Sequence, residues 1–173
     1  MVEGSRGAFL ASRLLFRLIM SSAVDVGPGY KPSSGWVYRR YPRVVEGVLA
    51  RSVRLVDKVE IVSVDDYGFE ARVASEEDLK VQYSVRVYVS PIDPMVEFEC
   101  TCPYGERRFN PCKHVTASIL ALLNKYVEDL KISGDKLEEG FYRDPEERRL
   151  IEAIYEGLNK AAYIKARSSS KLA

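Results

Sequence analysis

The three cysteines of the chain and its single histidine all fall in one stretch, CTCPYGERRFNPCKH, at residues 100–114. The spacing is Cys100-x-Cys102, a gap of nine residues, then Cys112-x-His114. Side chains on a strand alternate between faces, so a C-x-C pair at a strand end aims both sulfurs to one side. Pro103 and Gly105 then turn the chain away, and Pro111 brings it back. Residues two apart in a regular helix do not face a common point, so the second pair must straddle a helix start. Three thiols and one imidazole are the donor set of tetrahedral Zn²⁺. Four protein ligands close the shell, which makes one structural ion rather than a catalytic one with a water-filled position. Two other uses of these residues stand beside that one. Buried structural thiols with a satisfied core histidine are the first. A metal-free thiol–imidazole pair is the second, and it lacks a further histidine to orient it. Three thiolates and a neutral imidazole on Zn²⁺ leave a charge of about −1, which Lys113, Arg107 and Arg108 are placed to offset.

An odd number of cysteines in 173 residues, 46% of them hydrophobic, neither makes nor needs a disulfide framework. A reducing, cytoplasmic setting follows as an expectation, with sulfur used for metal. The 26 Lys and Arg against 25 Asp and Glu leave a net charge of +1. No global basic field holds such a chain on nucleic acid, and any binding must come from a local patch. Gln82, Asn110, Asn124 and Asn159 are the only side-chain amides. So few heat-labile groups among so many charges points to a thermophilic source.

Hydrophobic periodicity divides the rest into an α+β order. Residues 4–24 read GSRGAFLASRLLFRLIMSSAV, an apolar run broken by Arg13 and Arg17. That excludes a membrane span and a secretory signal, and leaves an amphipathic helix on the domain. Two alternatives are a start at Met20, with the first nineteen residues untranslated, and an Arg-rich transit peptide. A Gly/Pro/Ser linker follows to residue 35. Val44, Val45, Val48 and Leu49 are helix-spaced after Pro42. From Val53 the texture becomes β-branched, VRLVDKVEIVSV, then a turn at Asp65, Asp66, Tyr67 and Gly68 and a second strand, FEARVAS. KVQYSVRVYVS puts Val81, Tyr83, Val85, Val87 and Val89 on one face; MVEFECTC does the same for Val96, Phe98, Cys100 and Cys102. The expectation is an antiparallel meander of three or four strands, followed by a helix around one structural zinc. Val115, Ile119, Leu122, Leu123, Tyr126, Val127 and Leu130 give that helix a stripe toward the sheet, with Gly134 as its stop. An additional C-terminal helix opens at Asp144-Pro145-Glu146-Glu147 and carries Leu150, Ile151, Ile154, Tyr155, Leu158 and Ala162 on one face. Its tail, from Lys165 onward, reads as frayed and basic. Expected divisions are 1–35, an N-terminal segment and linker; 36–132, the zinc-binding domain; and 133–173, a helical extension and tail.

C-x-C, a variable gap and C-x-H, with CTCPYG at the centre, Val-rich strands before and PCKHV opening an apolar helix, resembles the SWIM-type zinc finger family. The stretch from Tyr38 resembles the region that precedes the motif in small prokaryotic members. The resemblance implies a β-hairpin and helix around one zinc. It also implies roles in nucleic-acid and protein interaction, including assistance to recombinases of the RecA type.

Residues 36–58 carry Arg39, Arg40, Arg43, Arg51, Arg54 and Lys58 against Glu46 and Asp57, a net +4. Residues 59–99 hold ten acids and three bases, a net −7. WVYRRYPR interleaves Trp36, Tyr38 and Tyr41 with Arg39, Arg40 and Arg43, the mix of a surface that stacks bases and contacts phosphate. The plainer alternative packs those aromatics under the sheet and leaves the arginines solvated. No nucleophile with a base, phosphate loop or paired carboxylates stands out, so no enzyme and no small-molecule substrate is expected. The expected function is a non-enzymatic nucleic-acid-binding or DNA-transaction accessory. The alternative is a protein-interaction module, docking a recombinase-like ATPase or other partner through the apolar face of either terminal helix.

Overall fold

A computed structural model describes residues 2–30, 48–78, 80–92, 96–103, 111–127, 130 and 145–172. The order is α1 (Val2–Ser22), α2 (Val48–Leu55), a 3₁₀ turn (Val56–Lys58), β1 (Val59–Val64), β2 (Gly68–Ala74), β3 (Gln82–Val89), β4 (Val96–Cys100), α3 (Lys113–Tyr126) and α4 (Pro145–Leu172). Among the described residues the strands form one antiparallel sheet in sequence order, β1-β2-β3-β4. The architecture is α+β, as the alternation and the helical stripes predict.

Period-two patterning makes the sheet one-sided. Phe69, Val87 and Phe98 lie abreast on the inner face, as do Ala71, Val85 and Cys100, and all are buried. Glu70, Arg86 and Glu99 lie abreast on the outer face, where Arg86 pairs with Glu70 at 2.8 Å. β1 keeps its inward side by a bulge. The register skips Val62 between Ile61 and Ser63, so that both Ile61 and Val64 reach the core.

Several boundaries differ from the sequence expectation: β3 begins at Gln82, leaving Val81 exposed, and β4 ends at Cys100, short of Cys102. Residues 53–58 are helical and 3₁₀, not strand. Val53 and Val56 are buried while Arg51 and Arg54 are exposed, a helical spacing that β-branched composition masks. α3 stops at Tyr126, where Val127 is extended and its N–H caps Leu123 O, well before Gly134. α4 runs on to Leu172 instead of fraying at Lys165. Lys165 Nζ sits 5.7 Å over the Phe98 ring, so the helix keeps a tertiary contact at the position where the sequence reads as fraying.

α3 lies across all four strands and is also covered by α1 and α2. His114 to Leu120, Leu122 and Leu123 are therefore all buried, a helix enclosed on most sides rather than bearing one stripe. α1 packs along α4. Leu10, Leu14 and Leu18 of α1 and Ile151, Ile154, Tyr155 and Leu158 of α4 are fully buried. Each such side chain stabilises by about 1.5–3 kcal/mol. The apolar stripes that α1 and α4 turn toward each other are thus core, while Phe9, Phe16 and Met20 on the other side of α1 stay exposed. Gly157 lets the two helices approach closely, because a Cβ there would run into the Leu18 carbonyl. Lys160 reaches from α4 to donate to Ser22 O and Val24 O, satisfying the free carbonyls at the end of α1. No helix among the described residues is long and apolar enough to cross a membrane.

Candidate metal centre

The centre is built where the sheet hands over to its central helix. Cys100 closes β4 on the inner face, and Cys102 lies just past the strand end. Pro111 leads to Cys112, which holds an extended conformation as the N-cap of α3, and His114 is the helix's second residue. The second pair straddles the helix start, as its spacing requires. All four side chains are buried, and their ligand atoms lie within 4.8 Å of one another.

His114 Nδ1 is 3.8 Å from both Cys100 Sγ and Cys112 Sγ. Zinc bonds of about 2.3 Å to sulfur and 2.0 Å to nitrogen, at tetrahedral angles, set sulfur–nitrogen separations near 3.5 Å and sulfur–sulfur ones near 3.8 Å. Both sulfur–nitrogen distances, at 3.8 Å, come within about 0.3 Å of that value, and no two ligand atoms lie more than 4.8 Å apart. Without a cation the packing is chemically awkward. The hydrogen bond with Cys100 holds the Cys112 thiol down, to about 4, with burial opposing and His114 assisting. The same bond, then burial, pushes Cys100 far above its ordinary value. The two buried thiols are thus driven in opposite directions by one contact, and a dication that stabilises all three thiolates removes the conflict. The donor set fits one structural Zn²⁺, held by Cys100, Cys102, Cys112 and His114.

The flanking contacts fix the ligands' backbone. Ser118 Oγ donates to His114 O at 2.7 Å, and Thr116 Oγ1 to Cys112 O at 3.1 Å, both on the first turns of α3. The Tyr83 ring lies 4.6 Å from the His114 ring. Lys113 takes a different place from the one expected. Its Nζ pairs with Glu76 Oε1 at 3.2 Å, so its charge is met by the β2–β3 turn rather than by the thiolates. A partner thirty-seven positions away leaves no local signal in sequence. Arg107 and Arg108 lie outside the described residues, as do Trp36, Tyr38, Arg39, Arg40, Tyr41 and Arg43.

Residues 86–123 match the family model for the SWIM zinc finger. No curated protein and no solved structure matches the chain. With a strand end and a helix start gathered on one buried Cys₃His set, the segment 86–123 is a match to the SWIM zinc finger in both sequence and ligand arrangement.

Proposed function

We propose that this chain is a non-enzymatic accessory of nucleic-acid transactions that works by docking a partner protein, with zinc setting the fold that presents the docking face. The observation that carries this reading is the outer surface of α1. Phe9, Phe16 and Met20, spaced seven and four apart, are 54%, 64% and 55% exposed. Arg6, Arg13 and Arg17 repeat that spacing in the adjacent row. An apolar row beside a basic row suits a partner helix with an apolar row beside an acidic one. Aromatic residues, Met and Arg are also the types enriched at protein interfaces. Arg13 donates to Asp66 O and Ser90 O, carbonyls that leave its charge in force, while Arg6 of the same row lies 4.0 Å from Asp66 Oδ1.

The test is titration with a labelled helical peptide that carries Leu on one row and Glu on the next. Micromolar binding, lost in Phe16→Asp with zinc content unchanged, supports docking. Binding only to oligonucleotides or anionic vesicles, self-association lost in the same variant, or no binding at all, overturns it.

Direct nucleic-acid contact is the second reading, and it rests on the composition of WVYRRYPR. Anisotropy with single- and double-stranded oligonucleotides at several salt concentrations tests it. Each phosphate neutralised adds about 0.7 to 0.9 to the log–log slope. A slope worth three phosphates, abolished by Arg39→Ala with Arg40→Ala, supports this contact; no binding at low salt removes it. The proposed setting is a reducing cytoplasm in a thermophile. A melting midpoint in the usual mesophile range of about 45–65 °C would remove the second half of that proposal.

A further inference from the structure

The C-x-C motif leaves its middle residue unspecified, yet here that residue makes the last rung of the sheet. β3 and β4 pair Val85 with Cys100, so Ser84 and Thr101 are opposite one another at the next step. In a hydrogen-bonded antiparallel pair, which alternates with non-bonded ones along the ladder, each residue gives its N–H to the other's main-chain carbonyl. One half is regular, with Thr101 N donating to Ser84 O at 3.1 Å. The other half is not. Ser84 N donates to the Thr101 side-chain oxygen, Oγ1, at 3.0 Å.

We propose that Thr101 is a positioning residue for the zinc centre, its hydroxyl standing in for its own carbonyl in the ladder. The substitution matters because the strand has to satisfy two demands at once. Cys100 must stay in register with β3, and the chain must bend immediately afterwards to bring Cys102 into the cage. A carbonyl committed to Ser84 would keep residue 101 in strand geometry and carry Cys102 onward along the sheet. A hydroxyl on a rotatable side chain accepts the same N–H while the main chain turns. Local side-chain competition with a backbone partner is the general property of Ser and Thr that makes this possible. Valine has the same shape without the acceptor, so Thr101→Val leaves the ladder to recruit the carbonyl and pull the turn straight.

Because Thr101 and Ser84 are exposed, water softens the loss, and the expected effect is at the lower end of what outer-shell partners of metal ligands give, about tenfold in zinc affinity. Zinc content of the unaltered protein is measured first, which separates failure of the metal assignment from failure of this proposal. Zinc affinity by chelator competition, the visible spectrum of the cobalt-substituted protein and the metal-free melting point are then compared across variants. Thr101→Val is expected to bind zinc about tenfold more weakly, with an altered cobalt spectrum and an unchanged metal-free melting point. Thr101→Ser is expected to restore affinity to within about twofold, since it keeps the acceptor and drops only a methyl group. Equal affinity in Thr101→Val, no rescue by Ser, or a metal-free melting point that falls in parallel with affinity each overturns the positioning role. Amide exchange at Ser84 in the unaltered protein needs no variant: protection is expected, and exchange at the rate of an open amide overturns the proposal.

Discussion

His114 and Lys113 are neighbours in sequence, and their side chains have unrelated partners. His114 is buried with its Nδ1 toward two sulfurs. Lys113 is partly exposed and reaches Glu76. The two substitutions are therefore expected to behave differently. His114→Ala or Cys112→Ser leaves an open metal shell and three or two buried sulfurs, so zinc content measured by metal analysis should fall well below one per chain. Lys113→Ala breaks a half-solvated ion pair worth about 0.2–1 kcal/mol. It should leave zinc stoichiometry at one and move the melting point little. A large loss of zinc in Lys113→Ala would restore the idea that its charge serves the thiolates directly.

At the scale of elements, α1 and α4 show how close a contact can become when one residue lacks a side chain. Gly157 faces the Leu18 backbone, and Gly7 faces the Tyr126 ring. A methyl group at Gly157 has to push a main chain aside, because the obstacle is not a flexible side-chain tip. Gly157→Ala is expected to destabilise by about 1–3 kcal/mol by overpacking, despite the better helix propensity of alanine. Denaturant unfolding reads this directly, and an unchanged or raised midpoint would mean that the helices separate at little cost. Leu10, Leu14 and Leu18 fill the same seam. Removing residues 1–19 would strip them from α4 and expose the apolar face of that helix, and the expected outcome is aggregation or loss of cooperative unfolding.

Across the whole molecule, the metal and the hydrophobic core support the same junction from two sides. α3 is central, and zinc holds its first turn to the end of β4. Structural zinc contributes folding free energy on the order of 10 kcal/mol in small fingers. Here α1, α2 and α4 add a core of their own around α3, so chelation is expected to lower the melting point and loosen the β4–α3 junction without abolishing all helix. Circular dichroism and amide exchange, with and without chelator, check this. Complete loss of helix on chelation would show that the core cannot stand alone, and full retention of the melting point would remove zinc from the stability of the fold.

Much of this was legible along the chain, for a physical reason. Strand alternation, the two C-x pairs around a turn, and proline and acid at the start of α4 are local devices, and their spacing carries their geometry wherever the chain goes. The ligand set, the meander and the order of helices therefore follow from sequence by itself. Boundaries were harder to read where local texture and burial disagree. Residues 53–56 look β-branched, yet fold as helix because α2 packs against α3. Tertiary structure alone decided what depends on contacts between distant segments. It enclosed the apolar faces of α1 and α4 in one seam, gave Lys113 to Glu76, set Thr101 against Ser84, and left Phe9, Phe16 and Met20 facing outward. The helix seam and the Lys113–Glu76 pair depend on residues far apart in the chain. The Ser84–Thr101 rung depends on the register of two strands, and the outward row on which side of α1 the rest of the fold covers; periodicity alone states none of these.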